Sequence, residues 1–358
     1  MPPKSHLAIV LLSASLPLFG QDVAVFSTEA RLSTVNLHVV QGKNYVETLK
    51  PEDFVLLEDG APKPITVFES AATQRTAPME MILLFDKSGS VTEAGLLNPM
   101  VFRDQLLVGL PNVKLSVYGF GTRLARYASA TRDFTELAAA FSALAKPKLS
   151  GGDKMPLVLF PKRLSGNGET WLYEAIAATV KDVSGKEDGV NRMILVFSDG
   201  LGTTNAAPED AARICQEAGI PVYPILLGHR QLRETFEQAE AESSRAAFSS
   251  EADSTAGGLR ASGTAAYRLS VAEGNLHAAE AFAGLGDLTG GSDFDPPQMN
   301  LEVMRNILES MVFFARTEYV VGFAPAASEG KPRQHKIEVR LRDPKSGKVL
   351  GGSRTAAY

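Results

Sequence analysis

The sequence predicts an α/β fold: a doubly wound, mostly parallel sheet with a small flanking β-sandwich-like module built from the N- and C-terminal segments. Three observations carry that expectation. "MEMILLF" (79–85) and "RMILVF" (192–197) are nearly continuous apolar runs, as in strands buried on both faces. Strand-like and helix-like stretches alternate from residue 79 to 228, which implies right-handed crossovers and helices on both faces of a sheet. The chain begins and ends on short alternating β patterns.

Taken in order, "TVNLHVV" (34–40) alternates, "DFVLLEDG" (53–60) ends in an Asp-Gly turn, and "PITVFES" (64–70) follows a proline-containing link. These make an N-terminal β module over 27–72, and "AATQRTAP" (71–78) reads as a polar linker. The main domain, 79–316, opens on the first buried strand. "EAGLLNPMVFRDQLLVGL" (93–110) has helical spacing with Pro99 as an irregularity, and "NVKLSVYGFG" (112–121) with "LARYASA" (124–130) reads as a hairpin. In "DFTELAAAFSALA" Asp133 is an N-cap with Glu136 three residues on, a capping box. "WLYEAIAATVKDV" (171–183) is a helix. "PEDAARICQEAG" (208–219) is another, with Pro208 in its first turn, and "IPVYPILLG" (220–228) is a strand. Residues 229–274 are rich in Ala, Ser and charge and read as a solvated helix followed by a flexible insertion. A helix, a glycine turn and a short strand follow in "NLHAAEAFAGLGDLTGGSDF" (275–294), and "MNLEVMRNILESMVFFAR" (299–316) closes the domain. Trp171, Phe313 and Phe314 are expected in the core. "EYVVGFAP", "HKIEVRLRDP" and "KVLGGSRTAAY" are three strands of a C-terminal segment, 317–358, expected to pair with the N-terminal module.

With 358 residues and 44 % hydrophobic content, the chain can bury a sizeable core and hold two domains. A formal net charge of -5 opposes nucleic acid and anionic membrane surfaces as partners. Lys4 and His6 precede the apolar stretch "LAIVLLSASLPLF", followed by Gly20, so residues 1–20 read as an export signal and the destination as secreted or periplasmic. That stretch is too short to span a bilayer, and no other apolar run is long enough, so no integral membrane segment is expected after cleavage. The single cysteine, Cys215, excludes an internal disulfide and reads as a buried, inert thiol on a helix.

The chemistry gathers at strand ends. Asp86 ends one buried strand in "FDKSGS" (85–90) and Asp199 ends another in "VFSDG" (196–200); Thr170 lies in "GETWLYEA" (168–175), before a helix. In open α/β sheets ligands bind beyond the carboxyl ends of the strands, where strand order reverses. Two carboxylates and three hydroxyls, from Asp86, Ser88, Ser90, Thr170 and Asp199, are hard oxygen donors that suit Mg²⁺ or Mn²⁺ and disfavour zinc. Ser88 and Ser90, at alternate positions around Gly89, can direct both hydroxyls at one ion.

With D-x-S-x-S at 86–90, a later Thr and a later Asp, the chain resembles a von Willebrand factor type A (VWFA) domain with its metal-ion-dependent adhesion site (MIDAS). "LKPEDFVLLEDGAPKPITVFE" (49–69), "DLTGGSDF" (287–294) and "TEYVVGFAP" (317–325) extend the resemblance to a bacterial group of secreted VWFA-related proteins. The resemblance implies direct metal ligation by Ser88, Ser90 and, with ligand bound, Thr170, while Asp86 and Asp199 act largely through water. It also implies a non-catalytic binding protein that captures the Asp or Glu of a partner protein. Lys87 departs from the family pattern, in which small or polar residues are commoner at this place, and a cation pointing inward would weaken metal binding. Two other readings stay open. One is a structural or assembly module whose site is vacant or purely stabilising. The other is a phosphoryl-transfer enzyme using Asp86, disfavoured because the second acid such enzymes carry two residues later is here Ser88.

Overall fold

The computed structural model describes residues 33–358 apart from 43, 75–76, 88–95, 122, 147–157, 160–169, 185–188, 203–205, 253–255, 326–332 and 358. The export signal expected at 1–20, and the stretch from 27 where the N-terminal module was expected to begin, lie outside the described residues.

The described residues open on β1 (Ser33–Gln41), whose strict alternation buries Val35, Leu37 and Val39. β2 (Asn44–Tyr45) folds back on it. β3 (Phe54–Glu58) and β4 (Ala61–Lys63) form a hairpin through Asp59 and Gly60, both at positive φ (50° and 83°), the turn that matches strand twist. β5 (Val67–Glu69) and a single helical turn, α1 (Ala71–Gln74), lead to the main domain.

There β6 (Met79–Asp86) is buried at all eight positions. α2 (Pro99–Phe102) follows, then β7 (Val113–Phe120), β8 (Arg123–Thr131), α3 (Phe134–Leu144) and β9 (Val158–Leu159). The second half runs α4 (Leu172–Val183), β10 (Asn191–Ser198), α5 (Pro208–Glu217) and β11 (Val222–Leu226). Three helices remain, α6 (His229–Ala252), α7 (Ala256–Thr289) and α8 (Leu301–Thr317).

The central sheet has the order β11-β10-β6-β7-β8-β9. β11, β10, β6 and β7 are parallel, and β8 and β9 are antiparallel additions. From β6 the chain moves one way to β7 and later returns to the other side for β10. Strand order therefore reverses between β6 and β10, which makes their carboxyl ends the switch point of the sheet. Side chains of β6 alternate between two cores. Met81, Leu83 and Phe85 meet α2, α3 and α8 on one face, while Ile82 and Leu84 meet α4, α5 and α7 on the other.

The tail runs through β12 (Tyr319–Phe323), β13 (Gln334–Leu341), β14 (Lys348–Leu350) and β15 (Ser353–Ala357). β12 pairs with β1 and β13 with β3, so both ends of the described chain share one sandwich with sheets β14-β1-β12-β5 and β15-β13-β3-β4. Its core holds Phe54, Leu56, Tyr319, Ile337 and their neighbours.

Four expectations need correction. Pro99 starts a helix rather than interrupting one: Asn98 caps it by accepting from the Met100 N–H at 3.0 Å, and proline suits the first turn. "KVLGGSRTAAY" is two strands, because Gly351 at φ 73° turns the chain from β14 in one sheet to β15 in the other. Phe313 is 40 % exposed, set edge-on against Tyr45, not in the core. Finally, the insertion expected at 229–274 is helical on both sides of 253–255. Leu232, Phe236, Ala239, Ser243 and Ala246 on α6, with Ala265, Leu269, Ala272, Leu276 and Ala279 on α7, form the covered faces of a helical hairpin. Their spacing of three and four residues is a coiled-coil seam in which small side chains outnumber the large ones, Leu232, Phe236, Leu269 and Leu276.

Candidate functional site

A stacked aromatic pair sets the register at the switch point. Phe85 and Phe197 lie opposite each other on β6 and β10, with ring centroids 4.5 Å apart and planes 11° from parallel. One residue further along each strand stand Asp86 and Ser198, both fully buried. The Ser198 hydroxyl donates to Asp86 Oδ2 at 2.7 Å. On the other flank Asp86 is in register with Phe120 of β7.

The remaining pieces converge on this rim. The Gly121 carbonyl, just past β7, accepts from the Trp171 N–H at 3.2 Å and so holds the residue next to Thr170. Thr170 is 3 % exposed. It is not the N-cap of α4: that position belongs to Trp171, which makes no side-chain cap bond. From β10, half-buried Asp199 enters a turn in which its Oδ1 accepts from the Leu201 N–H at 3.0 Å. Three residues after Asp199, a Cβ at Gly202 would lie 3.6 Å from Leu172 Cβ and 4.0 Å from the Thr170 carbonyl oxygen. Asp86, Thr170 and Asp199 thus occupy one end of the sheet, on loops that touch one another. Ser88 and Ser90 lie outside the described residues.

Lys87 reaches the carboxyl end of α3. Its Nζ donates to the carbonyls of Leu144 and Lys146, each at 2.6 Å, and lies 5.9 Å from the Tyr127 ring centroid. Burial pulls its pKa below the usual lysine value. The ammonium therefore satisfies the carboxyl end of α3, where unpaired carbonyls favour a cation. Lys87→Met should lower stability by about 1 kcal/mol in chemical denaturation while leaving any metal response intact. A loss of metal response would instead place the ammonium at the site.

Sequence reasoning missed Ser198, which reads as ordinary turn chemistry before Asp199; only its contact with a residue 112 positions away reveals it. The turn after it is also constrained by the hairpin. Gly200 has φ 81°, and a Cβ there would sit 2.8 Å from the Ala279 Cα of α7. On the same core, Cys215 is fully buried, which pushes its thiol up to about 12. An acid this weak stays protonated and inert.

Among the described residues, no group of three or more His, Cys, Asp or Glu side chains could hold a metal ion. The residues present fit a hard cation: Asp86 offers a carboxylate already oriented by a hydroxyl, and Thr170 and Asp199 bring only oxygen donors. Among the described residues no helix is long and apolar enough to cross a membrane.

No protein-family model matches the chain, and no curated protein does. Solved structures of VWFA type do match. BatB from Bacteroides thetaiotaomicron is 20 % identical with a TM-score of 0.31, over 41 % of this chain and 66 % of that one. The vWF domain of the type V pili tip protein Mfa5 from Porphyromonas gingivalis is 17 % identical with a TM-score of 0.26, over 38 % of this chain and 44 % of that one. Proximal thread matrix protein 1 from the mussel byssus, described with a zinc-occupied MIDAS motif, is 10 % identical with a TM-score of 0.37, over 71 % of this chain and 49 % of its own. The chain spans less than two thirds of each of these proteins. At such identities and scores the matches carry no weight for function, and the α/β architecture stands on the strand order described above.

Proposed function

We propose that this VWFA-like chain is an exported, non-catalytic binding protein whose switch-point rim holds Mg²⁺ or Mn²⁺ and captures an acidic side chain of a partner protein. The observation that carries the reading is the meeting of Asp86, Thr170 and Asp199 on touching loops at the reversal of strand order. Ser88 and Ser90 would complete the set, since they follow Asp86 at alternate positions. Once bound, the ion would supply an electrophilic coordination position that a partner's carboxylate fills. This chain's own residues have the simpler tasks of orientation and charge. The Ser198 hydroxyl fixes Asp86, the Asp199 turn is braced by the Leu201 N–H, and Lys87 is bound to the carbonyls at the end of α3. Support for a non-catalytic role comes from Asp86 itself: it is fully buried and hydrogen-bonded by Ser198, an arrangement poorly suited to a nucleophile that must reach a phosphate.

Thermal melting with and without metal tests the reading. A metal that binds only the folded state should stabilise the wild type by about 2.7 kcal/mol at a hundredfold excess over its dissociation constant. Asp86→Ala should abolish the response. A wild-type melt that ignores millimolar Mg²⁺ and Mn²⁺ would leave a structural module in place of a metal-dependent one. Turnover of a generic phosphomonoester that vanishes in Asp86→Asn would make the chain an enzyme. For the partner, a pull-down that survives chelator would remove the ion from recognition.

A further inference from the structure

The geometry points to Ser198 as the positioning residue of the metal site, although it lies outside the D-x-S-x-S, Thr and Asp pattern; this inference rests on the metal-site reading above. A hydroxyl carries one proton and can accept from other donors. Here the Gly200 N–H donates into Ser198 Oγ at 3.1 Å, and the hydroxyl proton is directed at Asp86 Oδ2, 2.7 Å away. Asp86 Oδ2 is thereby fixed as an acceptor.

Two further contacts make the arrangement directional. Below it, the Phe85–Phe197 stack locks β6 and β10 in register, so the serine and the acid end opposite one another. Above it, the Gly200 N–H belongs to the turn that carries Asp199, whose carboxylate is braced by Leu201. One buried hydroxyl thus ties the acid of β6 to the turn of β10, two parts of the site more than a hundred residues apart in sequence. A residue with this role sets how well the carboxylates are presented, and therefore the affinity for the ion, without touching the ion itself.

Two variants of equal shape isolate the hydroxyl. Ser198→Thr keeps it and Ser198→Val replaces it with a methyl group, so any steric strain in the buried strand is common to both. Mn²⁺ titration calorimetry should be run below the melting temperature of both variants. The valine variant should bind about tenfold or more weakly than the threonine variant, the range in which groups that orient metal ligands act. A purely structural serine would lower the metal-free melting temperature of the valine variant and leave its Mn²⁺ dissociation constant equal to that of the threonine variant; that result overturns the assignment. Should the valine variant fail to fold by circular dichroism, Ser198→Ala compared with wild type carries the same test, and equal dissociation constants there overturn it too. A wild type that binds no Mn²⁺ removes the metal site as a whole. Wild-type binding with equal variants removes only the role of Ser198.

Discussion

Gly200→Ala should destabilise the protein by about 2–4 kcal/mol, the sum of the strain of a left-handed alanine and of overpacking against a rigid neighbour. Gly200 follows Asp199 at φ 81°, where an L side chain is strained wherever it points. Its added Cβ would also lie 2.8 Å from Ala279 Cα and 3.2 Å from Phe282 Cβ. Ala279 Cα is backbone in the interior of α7, so relief requires the whole helix or the whole turn to shift. If the turn moves, Asp199 moves with it, and the metal response should weaken alongside stability. The control lies on the same helix. Gly274 is exposed and a Cβ there meets nothing within 4 Å, so Gly274→Ala should stabilise by up to about 1 kcal/mol through helix propensity alone. Urea midpoints of the two variants should therefore move in opposite directions. A Gly200→Ala protein as stable as wild type would show that α7 does not bear on the turn, and that the hairpin and the site are independent.

How far the sequence could be read depends on how local each cause is. β6 was legible because a strand buried on both faces writes an unbroken apolar run, and Met79 to Asp86 is buried throughout. The reversal of strand order followed from alternating elements, and it brought Asp86 and Asp199 to the same end of the sheet without any distance being known. The hairpin was harder. Most of its seam is Ala239, Ser243, Ala246, Ala265, Ala272 and Ala279, side chains too small to register as a hydrophobic stripe between the few large ones at Leu232, Phe236, Leu269 and Leu276, and its helical character lies in propensity and spacing. The tail misled for a similar reason: one β-patterned stretch serves two sheets, and only Gly351 marks the crossing. At the site, the direction of Lys87 is set by where α3 ends, 57 residues downstream, and the role of Ser198 by a partner 112 residues away. Such long-range pairings leave no local pattern, whereas the acids they serve do.

The junction between sandwich and main domain should make stability depend on pH through Glu318. This carboxyl is 4 % exposed, between α8 and β12, and accepts from the Tyr223 hydroxyl at 3.2 Å and from the side chain of Asn36 on β1. Burial is the main cause that raises its pKa from 4.5 to about 7, outweighing the hydrogen bonds and helped by the charge of nearby Glu69 on β5. Between those values the folded chain holds a proton that the unfolded chain releases, so stability falls as pH rises from 4.5 through 7 and stays reduced above. The full effect is about 3 kcal/mol, since each tenfold change in proton affinity on folding is worth roughly 1.4 kcal/mol. His38 works in the opposite sense. Burial lowers its pKa to about 4, so its contribution is present above 6.5 and is lost as pH falls towards 4. The two opposing groups can leave the wild-type profile nearly flat between 4.5 and 6.5 and hide both. Glu318→Gln separates them, because glutamine keeps an oxygen for the Tyr223 hydroxyl, cannot ionise, and leaves His38 unchanged. Subtracting the two urea-derived profiles should give a difference near zero at pH 4 that grows in favour of the variant through pH 7 and levels off by pH 8. A difference that does not change with pH would mean the Glu318 carboxyl titrates alike in the folded and unfolded chains. The junction would then be held by packing alone, with no carboxylate to strain it at neutral pH.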